Sequence, residues 1–318
     1  MLKKSVAITA VLLLITVFFN ACSFGQAFVL SVDSSHITDG EFLYFLDTAL
    51  VQNKEADAVS SAKQAALEYN NINSLFASNA LSLGVNEKAE LSSQVNSVWK
   101  LYGEYYTGIG VSKQELYSIK RADFFKNAVL RAYYGETGVR SVTSADALAA
   151  AFNDSFAAVL IINAPLFTVE NGTRAAFSDE RTDELTQSFA DTAERIGTDM
   201  TMEQASEALA YADFSQQVSY ISAGSTGYPE GFFNLIKSCE EGKAVSFELD
   251  DTLYLVYRES IIENHPDFYE KNRDAVLYSM YSQDFEKALS DFADGRTIEF
   301  DEERAAALFK QLKSDNSK

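Results

Sequence analysis

The sequence predicts an α+β protein that is mainly helical, and three observations carry that prediction. Up to about residue 155, and again after Pro266, apolar side chains recur at helical spacing. Between them lie the β-type runs Ala157 to Asn163, Ala244 to Leu249 and Leu253 to Tyr257, so the order is helical, then α+β, then helical. The 318 residues, 47% hydrophobic and 13% aromatic, hold enough apolar material for packed cores, as two modest domains or as one with an insert.

The elements follow in chain order. Met1-Leu2-Lys3-Lys4 is a basic start, Val6 to Phe19 is apolar except for Thr9 and Thr16, and Asn20-Ala21-Cys22 follows. A basic head, an apolar run of roughly 7–15 residues and a small residue before the cut describe an export signal, and the run is short for a permanent spanning helix of about 20 residues. Phe28 to Val32 reads as a short β segment and Asp33 to Ile37 as a turn. Thr38 or Asp39 then caps a helix with Phe42, Phe45, Leu46 and Ala49 on one face. Ala56 to Ala80 is a second helix, stopped by Gly84, and Glu87 to Tyr106 a third, with Leu91, Val95, Val98, Trp99 and Tyr102 as its stripe. After the Gly108-Ile109-Gly110-Val111 break, Ser112 and Glu115 form a capping box for an amphipathic helix through Leu116, Ile119, Phe124, Ala128 and Tyr133. Gly135 and Gly138 stop it, and Thr143 or Ser144 caps another helix that reaches Phe152.

Ala157 to Asn163, bounded by Pro165, reads as a buried strand; Val169 to Asp183 reads as a polar loop, and Glu184 to Ile196 and Met202 to Leu209 as helices. Val218 to Ile221 is a short strand before the Gly224-Ser225-Thr226-Gly227 loop, and Glu230 to Cys239 is helical. Ala244 to Leu249 and Leu253 to Tyr257 make a hairpin about Asp250-Asp251-Thr252. The helical period resumes through Tyr269, Val276, Leu277, Met280, Tyr281, Phe285 and Leu289 to Gly295. Thr297 to Phe300 alternates, and a terminal helix carries Ala305, Leu308, Phe309 and Leu312.

Composition excludes several function classes. With 26 basic against 46 acidic side chains the net charge is −20, which repels phosphate backbones and argues against nucleic acid as a partner. Two cysteines and two histidines far apart in the chain do not make a zinc site, and no cofactor motif is present. Asp179-Glu180, Asp250-Asp251 and Glu299 with Asp301, Glu302 and Glu303 read as solvated turns or helix starts rather than metal ligands. His36 sits in a turn at the head of a helix and His265 beside Pro266. Tyr102, Tyr105, Tyr106, Tyr117, Tyr133, Tyr134, Phe124 and Phe125 crowd the helical half. They read as core packing with amphipathic rims, or as an apolar cradle for unfolded chain segments.

Phe19-Asn20-Ala21-Cys22 resembles the bacterial lipobox, in which signal cleavage leaves a cysteine that carries diacylglycerol; Phe19 replaces the usual leucine. The resemblance implies a leader over residues 1–21, lipidation of Cys22, and a location on the extracytoplasmic face of a bacterial cell membrane. A plain signal or an uncleaved anchor is the alternative, and each exports the remainder. The leader holds Lys3 and Lys4 and no acid, so the exported part carries −22 in place of −20, with Cys239 as its other thiol.

Several local phrases in order resemble the PrsA/SurA group of exported foldases. They are Val29-Leu30-Ser31-Val32 with His36-Ile37-Thr38-Asp39-Gly40-Glu41-Phe42, Gly108 to Leu116, Val142 to Leu148 with Phe152, and Gly224 with Pro229-Glu230, Phe232-Phe233, Gly242 to Val245 and Leu253 to Tyr257. The resemblance implies a helical chaperone domain built from N- and C-terminal segments, residues 22–155 and 263–318, with a small parvulin-like α+β domain, residues 156–262, inserted between them. It also implies unfolded exported polypeptides as partners.

Active parvulin-type prolyl isomerases place two histidines on neighbouring strands. Here Ala158-Val159-Leu160-Ile161 stands where the first is expected, Tyr254 where the second is, and Ser215-Gln216-Gln217-Val218-Ser219 where the family has a glycine-rich acidic loop. The expectation is therefore a membrane-anchored chaperone with a degenerate parvulin-like insert, no catalytic residue and no cofactor. An isomerase with a rearranged site and a non-chaperone adaptor lipoprotein are the alternatives.

Overall fold

The structure is a computed structural model that describes residues 28–52 and 55–315; the leader, the lipobox and Cys22 lie outside the described residues. The elements in chain order are β1 (Leu30–Val32), β2 (Ser35–Ile37), α1 (Asp39–Val51), α2 (Ala58–Ser78), α3 (Val85–Gly108), α4 (Lys113–Tyr134), α5 (Ala145–Ser155), β3 (Phe156–Pro165), β4 (Phe167–Glu170) and β5 (Thr173–Ala176). There follow α6 (Asp179–Arg195), α7 (Met202–Ala208), β6 (Asp213–Ser222), α8 (Phe232–Lys237), β7 (Ala244–Leu249), β8 (Thr252–Glu259), α9 (Ile261–Asn264), α10 (Pro266–Ala293), β9 (Ile298–Phe300) and α11 (Glu302–Asp315). The fold is α+β, mainly helical, with small antiparallel sheets. No helix among the described residues is long and apolar enough to cross a membrane. The chain divides into two compact units, one running to Val129 and resuming at Gln283, the other spanning Leu130–Ser282. One boundary falls inside α4, and the other lies beside a break in α10, where Tyr281 leaves helical geometry.

In the first unit β1 is the centre of a three-stranded sheet, pairing Leu30 with Ile37 of β2 on one side and with Phe300 of β9 on the other. Early and late chain segments thus share one sheet. They also share one core, in which Ala305, Leu308 and Leu312 of α11 pack with Phe42, Leu43 and Leu46 of α1 and with Ala62 and Ala66 of α2. The alanines on α2 keep that face thin, which lets the helices approach closely.

Two capping boxes are joined through one carboxylate. The Glu41 amide donates to Thr38 Oγ1 at 3.2 Å while Glu41 Oε2 accepts from the Thr38 amide at 3.0 Å. At the head of α4, Glu115 Oε2 accepts from the Ser112 amide at 2.8 Å, the Glu115 amide donates to Ser112 Oγ, and Glu115 Oε1 accepts from Thr38 Oγ1 at 2.7 Å. A Cβ on Gly40 would stand 2.3 Å from that carboxylate, so a side chain there would push the bridging carboxylate from its place.

In the second unit a four-stranded sheet of order β6-β3-β8-β7 is antiparallel throughout. Side chains alternate between its faces. On one face α6 and α7 bury Leu185, Phe189, Met202 and Ala205 against Ile162, Leu253 and Leu255. On the other, α8 buries Phe232 and Ile236 against Val159, Ile221 and Val256. Phe152 of α5 and Val276 of α10 close a further cluster around Ala158 and Ile261.

The structure departs from the expected elements in several places, among them the start of α6 at Asp179 rather than Glu184. Ser35–Ile37 is a strand rather than part of a turn, because pairing with β1 extends it. Within Val169 to Asp183, β4 and β5 form a hairpin about Asn171 and Gly172, whose φ values of +48° and +79° suit a two-residue turn. β6 begins at Asp213, five residues before the expected strand, since Phe214 and Ser215 pair with Ile162 and Ile161 of β3. Elsewhere the capping residues agree with the sequence: Thr38 caps α1 and Ser144 caps α5.

Candidate functional site

The β3, β8 and β7 registers place Asn163, Tyr254 and Phe247 in one row across the second unit's sheet, and Ile161, Val256 and Val245 in the next. This is the face that carries α8. The helix contributes Phe232, 1% exposed, as the centre of an aromatic floor. The Tyr228 ring stacks on it at 4.8 Å and 10°, Tyr254 meets it edge-on at 4.8 Å, and Phe247 does so at 5.5 Å. Tyr228, Phe233, Phe247 and Tyr254 are only half-buried, so the floor presents ring edges and faces to solvent. Such a surface holds apolar side chains by area and ring quadrupole without a fixed hydrogen-bonding code.

Chemistry on this floor is sparse. Burial pushes the Tyr254 phenol above its ordinary value, which keeps it a neutral hydroxyl. Cys239 is buried, its thiol pushed up by that burial and lying 3.3 Å from the Lys243 carbonyl, which is the environment of an inert cysteine. Ser215 to Ser219 form an irregularity in β6: Ser219 pairs with Val159 and Ser215 with Ile161, so extra residues loop out of register opposite β3.

Neither histidine reaches the floor. His36 belongs to β2 in the first unit and stacks on Phe28 at 3.8 Å. His265 follows α9 with Nε2 2.7 Å from Glu259 Oε2 and Nδ1 3.2 Å from Tyr220 Oη. Tyr220, Ala158 and Glu259 pair in one row, and Glu259 lies five residues from Tyr254 on β8, so alternation points its side chain to the opposite face. The acidic groups have local duties. Asp179 and Glu180 occupy the first turn of α6, Asp250 and Asp251 form the hairpin turn at φ +51° and +54°, and Asp301 Oδ1 accepts from the Arg304 amide at the head of α11. No cluster of three or more candidate metal ligands occurs among the described residues.

The aromatic residues of the helical half divide by position. Phe125, Tyr133 and Tyr134 are buried, while Tyr106, Tyr117 and Phe124 are half-buried. Tyr102 and Tyr105 are exposed on α3, with Leu101 beside them at 74% exposure. Trp99, Tyr106 and Tyr44 continue the patch as a ladder, Tyr106 lying 6.4 Å from Trp99 and 6.0 Å from Tyr44, each in stacked orientation. Sequence reasoning marked Phe232, Phe233 and Tyr254 but passed over Tyr228 and Phe247. The alternation Val245, Phe247, Leu249 held the signal for the latter.

No protein-family profile and no curated protein matches the chain. Among solved structures the chain is similar to the foldase protein PrsA from Lactococcus lactis at 13% identity, over 90% of this chain and 99% of that one, with a TM-score of 0.37. It is similar to PrsA from Streptococcus pneumoniae at 15% identity, over 91% and 93%, with a TM-score of 0.27. The corresponding values for PrsA from Bacillus subtilis are 11%, 85%, 87% and 0.24.

Proposed function

We propose that this chain is a foldase-like chaperone of the PrsA/SurA type, exported and tethered through a lipid on Cys22. It holds unfolded exported polypeptides on exposed aromatic surfaces and catalyses no isomerisation. The observation that carries the reading is the floor in which half-exposed Tyr228, Phe247 and Tyr254 surround buried Phe232, lined by rings and without a histidine or a carboxylate among them. Rotation about a prolyl bond faces a barrier of roughly 18–20 kcal/mol, and lowering it takes polar groups aimed into an apolar slot. The floor supplies apolar area instead. The net charge of −22 on the exported part keeps the protein's body away from anionic lipid while its clients are engaged.

The test is aggregation of chemically unfolded clients at stoichiometric chaperone. The full chain lowers light scattering for several clients, and substituting Tyr228 and Phe247 by serine reduces that effect; no suppression for any client overturns the reading. A second reading, isomerase activity through a rearranged site, is favoured by Asn163 and Tyr254 side by side on the floor. Proline-limited refolding decides it, since acceleration that Tyr254→Phe abolishes would establish catalysis.

A further inference from the structure

The second unit's sheet has two outer strands, and they are unlike. β6 is irregular opposite Val159 and Ile161 and polar through Ser215, Gln216 and Gln217, features that defend an edge against pairing. β7 is regular by comparison. Its register with β8 runs unbroken from Ala244 to Leu249, it contains no proline or lysine, and none of its six residues is buried. β8 is its only strand neighbour among the described residues.

Which backbone groups face outward follows from two independent marks. The Arg258 amide donates to the Lys243 carbonyl at 3.0 Å, beside a glycine bulge at Gly242, so Lys243 faces β8. At the other end the two-residue turn Asp250-Asp251 closes on the pair Leu249 and Thr252. Alternation between these ends turns the backbone of Val245, Phe247 and Leu249 inward to β8, and that of Ala244, Ser246 and Glu248 outward. The side chains of Val245, Phe247 and Leu249 lie on the aromatic floor's face. An added strand would continue the floor by one position.

We propose that β7 takes an extended polypeptide as a fifth strand, selected for basic residues flanking an alternating apolar core. The charge at its ends argues for that occupant. Residues 240–251 hold Glu240 and Glu241 before the strand, Glu248 within it, and Asp250 and Asp251 after it, against Lys243; Glu241 lies 3.6 Å from Arg258 and Asp251 3.7 Å from Arg174, so the attraction for a cation falls mainly on Glu240, Glu248 and Asp250. A second copy of this chain fits badly, because antiparallel self-pairing of β7 sets Glu240 and Glu241 of one copy against Asp250 and Asp251 of the other. Main-chain bonding gives affinity for any extended segment, the floor takes alternate side chains, and the acids favour cationic ends. This inference rests on the reading that the protein holds unfolded chains, and it names where and which.

The probe is a capped peptide alternating valine with threonine between terminal lysines, compared with its glutamate-ended twin, titrated into the full chain. The lysine peptide binds about tenfold or more tightly than the glutamate peptide at low salt, and the gap narrows as salt rises. On binding, amide exchange slows at Ala244, Ser246 and Glu248. Ser246→Pro, which removes an outward N–H, weakens the lysine peptide about tenfold with the melting temperature retained. If the proline disturbs the fold, Glu248→Lys serves instead, weakening the lysine peptide and strengthening its twin. Binding without protection of those three amides, equal affinity for the two peptides, or self-association through β7 overturns the proposal. Aggregation suppression that persists in Ser246→Pro beside an unprotected edge sinks this inference alone. Edge protection in a chain that suppresses no aggregation sinks the chaperone reading alone.

Discussion

At the scale of single residues the clearest contributions are polar links between segments far apart in the chain. Asp33, in the β1–β2 turn, accepts from Arg296 Nε at 2.8 Å and from the Thr297 amide at 3.0 Å, and Arg296 also donates to Asn70 and Asn71. The guanidinium's hydrogen bond, followed by that of the Thr297 amide, holds the Asp33 carboxyl below its ordinary value of 3.8. A carboxyl depressed in the folded state stabilises fully above its unfolded pKa of about 3.9, and that contribution fades as pH falls through the folded value. The melting-temperature gap between wild type and Asp33→Asn is therefore full at neutral pH, shrinks below about pH 4 and closes under stronger acid. Because the group is exposed, added salt narrows the gap as well. A gap that stays constant into strong acid would show that the charge plays no part. The capping signals around Thr38, Ser112 and Glu115 were legible because caps depend on residues within one turn. The bridge from Glu115 to Thr38, across 77 positions, was not, since no local pattern encodes which box lies beside which.

Among elements, α3 joins local structure to the proposed binding role. Gly103 sits four residues after Trp99, and a Cβ there would stand 2.9 Å from the indole Nε1. The glycine lets the indole lie along the helix and stack toward Tyr106. Gly103→Ala raises helix propensity by about 1 kcal/mol and at the same time pushes the ring outward. Trp99 is the only tryptophan, so its emission reports the seat directly. The variant shifts emission to the red and increases iodide quenching, whereas an unchanged spectrum would place the indole elsewhere. Helical period revealed that α3 exists but not which of its tyrosines are covered, because covering is decided by neighbours distant in sequence. The same reasoning explains β6, where polar Ser215-Gln216-Gln217 gives no strand signal and pairing with β3 supplies the conformation. The β4–β5 hairpin is a different case, since Asn171-Gly172 carries a hairpin-turn signature but the polar residues around it lack a strand's apolar alternation.

At the scale of the molecule, the change of period at Ala157 and its return at Pro266 made the α+β class readable, but a three-residue strand such as β9 carries no mark of its partner. Its pairing with β1 and the packing of α11 both close loops of more than 260 residues, and the entropy of such closure has to be offset by contacts made at the end. α11 supplies them through Ala305, Leu308 and Leu312, each 8% exposed or less and packed in the core that holds Phe42 and Leu46. Leu312→Ala empties part of that core and costs about 2–5 kcal/mol. The loss falls on the first unit. Amide exchange speeds up in β1, α1 and β9, while β3 and β8, whose cores contain no residue of α11, keep their protection. Gln311→Ala, one position away and exposed, leaves both sets unchanged. If Leu312→Ala accelerated β3 and β8 as much as β1, the two units would unfold as one cooperative body, and holding a client in one would be inseparable from the stability of the other.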